Sequence, residues 1–192
     1  ERNYFENSDY SRTRGLEVEL DKKYGNYVSG SMTYNFSYAY GKSSAEALDY
    51  FDNFYANAGG RFVIQEFPLD WDERHKLTFN LDLRVPASDH PKLFGVTMPD
   101  NFGLNIFWTY GSGFPYSPTT AHPGIAARLA PGQDPLTNSE RVPASNNVDI
   151  RFNKDFRIGP MDYSLELWVN NLFDNRDVQN VGGSTGRPET DL

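Results

Sequence analysis

The stretch Tyr27 to Gly41, YVSGSMTYNFSYAYG, restricts the fold more than any other part of the chain. Its even positions are Val28, Gly30, Met32, Tyr34, Phe36, Tyr38 and Tyr40. The odd positions after Tyr27 are Ser29, Ser31, Thr33, Asn35, Ser37, Ala39 and Gly41. Successive side chains of a strand point to opposite faces, so this is one long β-strand with an apolar side and a wettable side. A helix has no such period. About fifteen residues is far beyond the roughly five or six of an ordinary strand. It suits a tilted bilayer crossing, which takes about nine to eleven residues plus its ends. Tyr34, Phe36, Tyr38 and Tyr40 crowd one end, as an interfacial girdle requires: the ring sits among acyl chains and the hydroxyl among headgroups. A long strand of a soluble sandwich alternates in the same way, so this stretch alone leaves both readings open.

The composition narrows the choice. The 192 residues carry a formal net charge of -8, no cysteine and 38% hydrophobic residues, with a mean hydropathy of -0.65. No run of about twenty apolar residues is present, which excludes a membrane-spanning helix. Yet 12 Tyr and 14 Phe have to go somewhere in so hydrophilic a chain, and alternating strands concentrate them on one face. A pI near 4.8 argues against nucleic acid as partner, because phosphate neutralisation needs clustered Lys and Arg. Without cysteine there are no disulfides and no thiolate metal sites. The chain opens on Glu1 without an apolar leader, which suggests a processed or partial chain.

Further strands read off the same period. Leu16, Val18 and Leu20 alternate with Glu17, Glu19 and Asp21, and Tyr24-Gly25-Asn26 turns this strand into the next. Past Gly41 the period becomes helical. Ser43 and Glu46 have capping-box spacing, and Leu48, Phe51, Phe54 and Tyr55 recur on one face until Gly59-Gly60, predicting a short loop helix over Ser44 to Tyr55. Its stripe either packs on neighbouring loops or meets a ligand. Alternation returns with Leu77, Phe79, Leu81, Leu83 and Val85 against Lys76, Thr78, Asn80, Asp82 and Arg84. It recurs in Phe102, Leu104, Ile106, Trp108 and Tyr110. After a Gly- and Pro-rich stretch to about Ser145 come Val148, Ile150 and Phe152, the turn Gly159-Pro160, and Tyr163, Leu165, Leu167 and Val169.

These are about six long antiparallel strands, with short connections at Tyr24 to Asn26 and Gly159-Pro160 and long ones over about 42 to 74 and 111 to 145. Outer-membrane barrels sort their connections this way, short inside and long outside, whereas a sandwich has no reason to. The connection from Pro86 to Asn101 is longer than that rule predicts. The expected fold is therefore an all-β antiparallel transmembrane barrel with a short loop helix. Six strands cannot close a barrel, for which about eight is the practical minimum, so the chain is expected to be part of something larger.

Several segments then resemble one known family. Arg14-Gly15-Leu16-Glu17-Val18-Glu19-Leu20, Pro68-Leu69-Asp70 leading to Arg74-His75-Lys76-Leu77, Gly111-Ser112-Gly113-Phe114-Pro115-Tyr116, Asn147 to Phe156, and Val169-Asn170-Asn171-Leu172-Phe173-Asp174 are similar, in order and spacing, to the C-terminal barrel segments of TonB-dependent outer-membrane receptors. The likeness spans nearly all of residues 1–192. It implies a barrel of about twenty-two strands in the bacterial outer membrane around an N-terminal plug. In that family TonB supplies the energy to import a scarce nutrient such as a siderophore, cobalamin, glycan or peptide. The implied partners are outer-membrane lipid, the plug domain, TonB and a small nutrient ligand. Gly182 to Pro188 resembles the loop before the family's last strand, while that strand, the plug and the TonB box are not in this sequence. A non-transporting outer-membrane or surface β-protein, an adhesin or binding module, is the alternative from another class.

Little here suggests chemistry. His75, His90 and His122 lack ligand spacing, and Asp70, Asp72 and Glu73 lack the glycine and spacing of a calcium loop, so no metal and no cofactor is expected. Glu17, Glu19, Asp21, Asp82, Asp149, Asp162 and Glu166 fall on wet faces with Arg84 and Arg151. That pattern reads as a lumenal charge network rather than an acid/base pair. There is no nucleophile elbow, phosphate loop or CxxC, and no catalytic residue is assigned. Trp71, Phe114 and Tyr116 are the candidates for ligand contact by stacking, with plain loop packing as the competing role.

Overall fold

A computed structural model describes residues 10–42, 66–93, 95–119, 137–178 and 180–188. The helix expected over Ser44 to Tyr55 lies outside the described residues. Everything regular within them is antiparallel β. The strands are β1 (Ser11–Gly25), β2 (Val28–Gly41), β3 (Phe67–Pro68), β4 (His75–Val85), β5 (Lys92–Leu93), β6 (Val96–Thr97), β7 (Phe102–Gly111), β8 (Pro115–Tyr116), β9 (Glu140–Arg141), β10 (Ser145–Ile158) and β11 (Met161–Val169). The six long ones form one sheet in the order β1-β2-β4-β7-β10-β11, with β3 also on β2, so each long strand lies beside its neighbour in the chain. The sheet is open: β1 and β11 are its edges.

Register carries the alternation from strand to strand. Leu20 faces Met32, Met32 faces Phe79, Phe79 faces Trp108 and Trp108 faces Val148. The next row runs Gly30, Leu81, Ile106, Ile150, Val169, and the one after it Val28, Leu83, Leu104, Phe152, Leu167. A slip of one residue anywhere would break these rows, because it moves a whole strand's side chains to the other face. The result is an apolar belt on one side. On the other side the rows read Glu19, Thr33, Thr78, Thr109, Asn147 and Ser29, Asp82, Asn105, Arg151, Trp168. Along β7 the belt face reads Phe102, Leu104, Ile106, Trp108, Tyr110, aliphatic in the middle and aromatic at both ends.

No second layer covers the belt among the described residues. Even at the sheet's centre, Leu77, Phe79, Leu81 and Leu83 are only half-buried. At the edges Leu20 is 63% exposed and Leu167 53%. The fully buried side chains lie elsewhere, at the end of the sheet where the long connections leave.

The short connections explain their own length. Asn26 and Tyr27 both have positive φ, 53° and 69°, the combination of a type I′ hairpin. The turn thus sits one residue later than the spacing predicts, because β1 shifts register between Lys22 and Gly25. Gly159 at φ 61° followed by Pro160 makes the other tight turn, with Ile158 opposite Met161. The connection 86–101 holds the small hairpin β5–β6, and the Asn101 amide donates to the Pro86 carbonyl at 3.0 Å. Its extra residues fold on themselves without spreading the strands they join.

Lys154 occupies a belt position, opposite Phe102 and Leu165. Its ammonium escapes along the strand to Asp100, bonding the Asp100 carbonyl and, at 3.0 Å, its carboxylate. A long stem on apolar surface with the charge carried to its end is how lysine tolerates such a place. The lysine and the Ser88 amide hold the Asp100 carboxyl below the usual carboxylate range.

Candidate functional site

The loop end of the sheet is organised by a bulge in the strand that pairs with β2. Phe67 and Pro68 pair with Gly41 and Tyr40, and pairing resumes only at His75 opposite Phe36. Residues 69–74 loop out between them. The Leu69 amide donates to the Ala39 carbonyl at 2.9 Å and the Ser37 amide to the Arg74 carbonyl at 3.1 Å. That leaves the Ala39 amide without a backbone partner. The Asp72 carboxylate takes the position, accepting it at 2.8 Å. A buried N–H must be satisfied, and here a side chain does what the displaced strand cannot.

Asp72 is 0% exposed, so its charge needs cations. Arg74 donates to Oδ2 at 3.2 Å, and Arg141 of β9 bonds the same oxygen. Arg141 also donates to the Asp72 and Gly113 carbonyls, the latter at 3.0 Å. One guanidinium thereby joins the bulge, the exit of β7 and the return strand β9. Gly113 fits there because its φ is 81° and a Cβ would meet the Val142 carbonyl. Asn138 closes the junction from the other side, donating to the Pro68 carbonyl at 2.8 Å and to the Asp70 carboxylate at 2.6 Å. Leu69, Ala39 and Val142 fill the interior.

This junction carries the three aromatic residues singled out from sequence. Trp71 lies on the bulge, 51% exposed, and Phe114 follows Gly113, 44% exposed. Tyr116 is in β8, opposite Glu140, and is half-buried. Burial pushes its phenol up, with the Glu140 charge adding to the effect. The structure brings all three onto one rim through backbone segments that converge on Arg141. Asp72 is committed to an amide and two guanidiniums, and among the described residues no group of three His, Asp or Glu is placed to hold a metal ion. His75 belongs to the belt end, its Nδ1 2.8 Å from the Tyr34 hydroxyl and its ring beside Phe36.

The polar face forms the second part of the site. A depression of about 750 Å³ is lined by residues that include Asn80, Asp82, Asn105, Asp149, Arg151 and Trp168. Asn105 donates to Asn80 at 2.8 Å, and the Arg151 guanidinium lies 4.8 Å from the Trp168 ring centre. Trp168 and Phe107 were not picked out from sequence. The signal was there: both hold polar-face positions in the period of two, Trp168 between Glu166 and Asn170.

Two motifs behind the family resemblance prove to be strand exits at this same end. Gly111 to Tyr116 is the exit from β7 just described. At the exit of β11, Asn171 with φ 52° donates its amide to Asp149 at 2.8 Å, while its side chain bonds the Asn175 amide at 3.0 Å and carbonyl at 2.9 Å. The Leu172 amide adds one more bond to the Val148 carbonyl at 2.8 Å. No family model, curated protein or solved structure matches the chain.

Proposed function

We propose that this chain is part of the barrel of an outer-membrane TonB-dependent transporter that binds and imports a scarce nutrient. The observation that carries the reading is the belt: in-register apolar rows across six long antiparallel strands, aromatic toward both ends of β7, with a polar opposite face and no covering layer among the described residues. Lipid is the covering that such a belt fits, since backbone is satisfied strand to strand and hydrocarbon needs only apolar side chains. On this reading β1 and β11 pair with further strands of the barrel. The polar face, with its depression, meets water, the plug and the passing nutrient. Trp71, Phe114 and Tyr116 meet the ligand at the outer rim, and no step of catalysis is assigned.

The test uses the full-length protein in its own cells. It is expected in the outer-membrane fraction, with a membrane-impermeant thiol reagent reaching Phe114→Cys in intact cells but reaching Val96→Cys only after lysis. Uptake of its nutrient should vanish when TonB is removed. A soluble, monodisperse protein with a cooperative melt in the absence of detergent overturns the membrane reading. Membrane insertion with TonB-independent binding favours the adhesin.

A further inference from the structure

Where the belt ends on β1 and β2 its chemistry changes abruptly. The belt-facing positions of β1 run Leu20, Val18, Leu16 and then Arg14 and Arg12, with Tyr10 beyond. Opposite them on β2 stand Met32, Tyr34, Phe36, then Tyr38 and Tyr40, with Arg14 facing Tyr38 and Arg12 facing Tyr40. Arg74 reaches in from the bulge. Its guanidinium lies 4.5 Å from the Tyr38 ring centre and 5.8 Å from that of Tyr40, and it donates to the Tyr40 hydroxyl at 2.7 Å. Lys42 sits 5.4 Å from the Tyr10 ring centre. Arg12, Arg14, Tyr38 and Tyr40 line an open cleft of about 230 Å³.

Among the described residues the cations here outnumber their acids. Glu66 takes Arg12 at 2.7 Å and accepts from Tyr10, and Asp72 is shared between Arg74 and Arg141. Among the described residues Arg14 has no ion pair, and the Lys42 ammonium has the Tyr10 ring and no acid. This excess of positive charge stands in a chain whose net charge is -8. Parity puts it on the belt side and not on the polar face. Its position one row past Leu16 and Phe36 puts it at the boundary between hydrocarbon and water, if the belt meets lipid. The Arg74 guanidinium, placed beside the two tyrosine rings, and those of Arg12 and Arg14 next to it carry forked N–H groups that suit planar or tetrahedral oxyanions.

We propose that Arg12, Arg14 and Arg74, with Tyr38 and Tyr40, bind the phosphate headgroup of an anionic lipid whose chains lie on Leu16, Val18 and Phe36. The proposal rests on the membrane reading above. A lipid fits better than a free phosphate because the next row of the same face, beside the Arg14–Tyr38 pair, is Leu16 and Phe36.

The experiment is native mass spectrometry of the full-length protein from neutral detergent, with phosphatidylglycerol, phosphatidylcholine or inorganic phosphate added. Wild type should retain phosphatidylglycerol well above phosphatidylcholine, and inorganic phosphate should not displace it. The double variant Arg12→Gln/Arg14→Gln should weaken retention roughly thirtyfold, equivalent to about 1 kcal/mol per cation near an anionic headgroup. Arg12→Lys/Arg14→Lys should recover part of it, and Arg157→Gln at the far end should change nothing. Equal retention of the two lipids, or a double variant that binds as wild type, overturns the site. Displacement by inorganic phosphate at similar concentration makes it a free-anion site instead. Outer-membrane insertion of the same preparations separates the two failures: a protein that inserts without lipid preference sinks only this site, and one that does not insert sinks the membrane reading as well.

Discussion

The junction around Asp72 and the belt across the middle of the sheet are both apolar regions, and they are built under opposite demands. In the junction Leu69 and Asp72 are wholly buried and Ala39 and Val142 nearly so. Each polar group named there has a partner at fixed geometry. In the belt Phe79 has Met32 on one side and Trp108 on the other, yet it stays half-buried. Lateral neighbours cannot bury a side chain that stands perpendicular to its sheet. The difference teaches that the junction has the shape constraints of a close-packed interior, while the belt, on the membrane reading proposed above, has only a solvation requirement. Substitutions in the full-length protein, followed by unfolding titrations in lipid vesicles, test that distinction.

The largest effect is expected at Asp72. Replacing it by Ala leaves Arg141 and Arg74 without their shared carboxylate and the Ala39 amide unpaired, a loss of about 3–5 kcal/mol for a broken buried pair. Limited proteolysis should then cut within 66–75 and 137–142 first. A cost no larger than that of a single belt truncation would mean the junction is not a core at all.

Next in size is the contrast between the two faces. If lipid covers the belt, Leu81→Arg at mid-belt should cost about 2–4 kcal/mol, and Asn80→Arg on the polar face much less, because hydrocarbon gives a guanidinium no partner. Asn80 has Asp149 and Asp82 in the same depression. Equal costs would remove the difference between the faces and with it the register argument.

A smaller effect, from the turn end, depends on pH. Asp100 has its folded-state pKa lowered, first by Lys154 and then by the Ser88 amide. Its contribution to stability is therefore full above its unfolded value, about 4, and is lost as pH falls through the lower folded value. Asp100→Asn should flatten the acid side of the stability profile below about pH 4 and leave the neutral side almost unchanged. A wild-type profile already flat there would show that Lys154 does not depend on this carboxylate.

The belt was legible in the sequence because a period of two survives in every long strand, and register only had to line up patterns already present. The same parity also carries the exceptions, Lys154 at a belt position and Phe107 and Trp168 on the polar side, and register shows which residues stand beside them. The loop end was legible only in part. Trp71, Phe114 and Tyr116 could be picked by residue type, but their shared rim depends on Arg141 meeting Asp72 from 69 positions away. No local pattern announces such a pair. Asp72 read as one acid in the run Asp70 to Glu73, and its role as a stand-in for a missing backbone carbonyl follows from a bulge that spacing does not reveal. The interruption of pairing between Pro68 and His75 has a weak trace, since Pro68 cannot donate to a ladder.

The smallest effect separates the two regions most cleanly, because it alters shape and leaves polarity untouched. Leu69→Ile and Ile106→Leu each exchange one branched aliphatic for the other without changing volume. Leu69 is enclosed on all sides, so moving a methyl group forces its neighbours to shift, and about 1 kcal/mol should be lost. Ile106 stands between Leu81 and Ile150, half-buried, with its outer surface uncovered among the described residues. Fluid acyl chains conform to either isomer, so the change should stay within about 0.3 kcal/mol, the strand preference of the branched residue being the main term left. A soluble sandwich would place a second sheet over Ile106 and make the two costs alike. Measured equality at about 1 kcal/mol would therefore put protein over the belt, and a near-zero value at Ile106 beside a real cost at Leu69 would leave lipid as the covering.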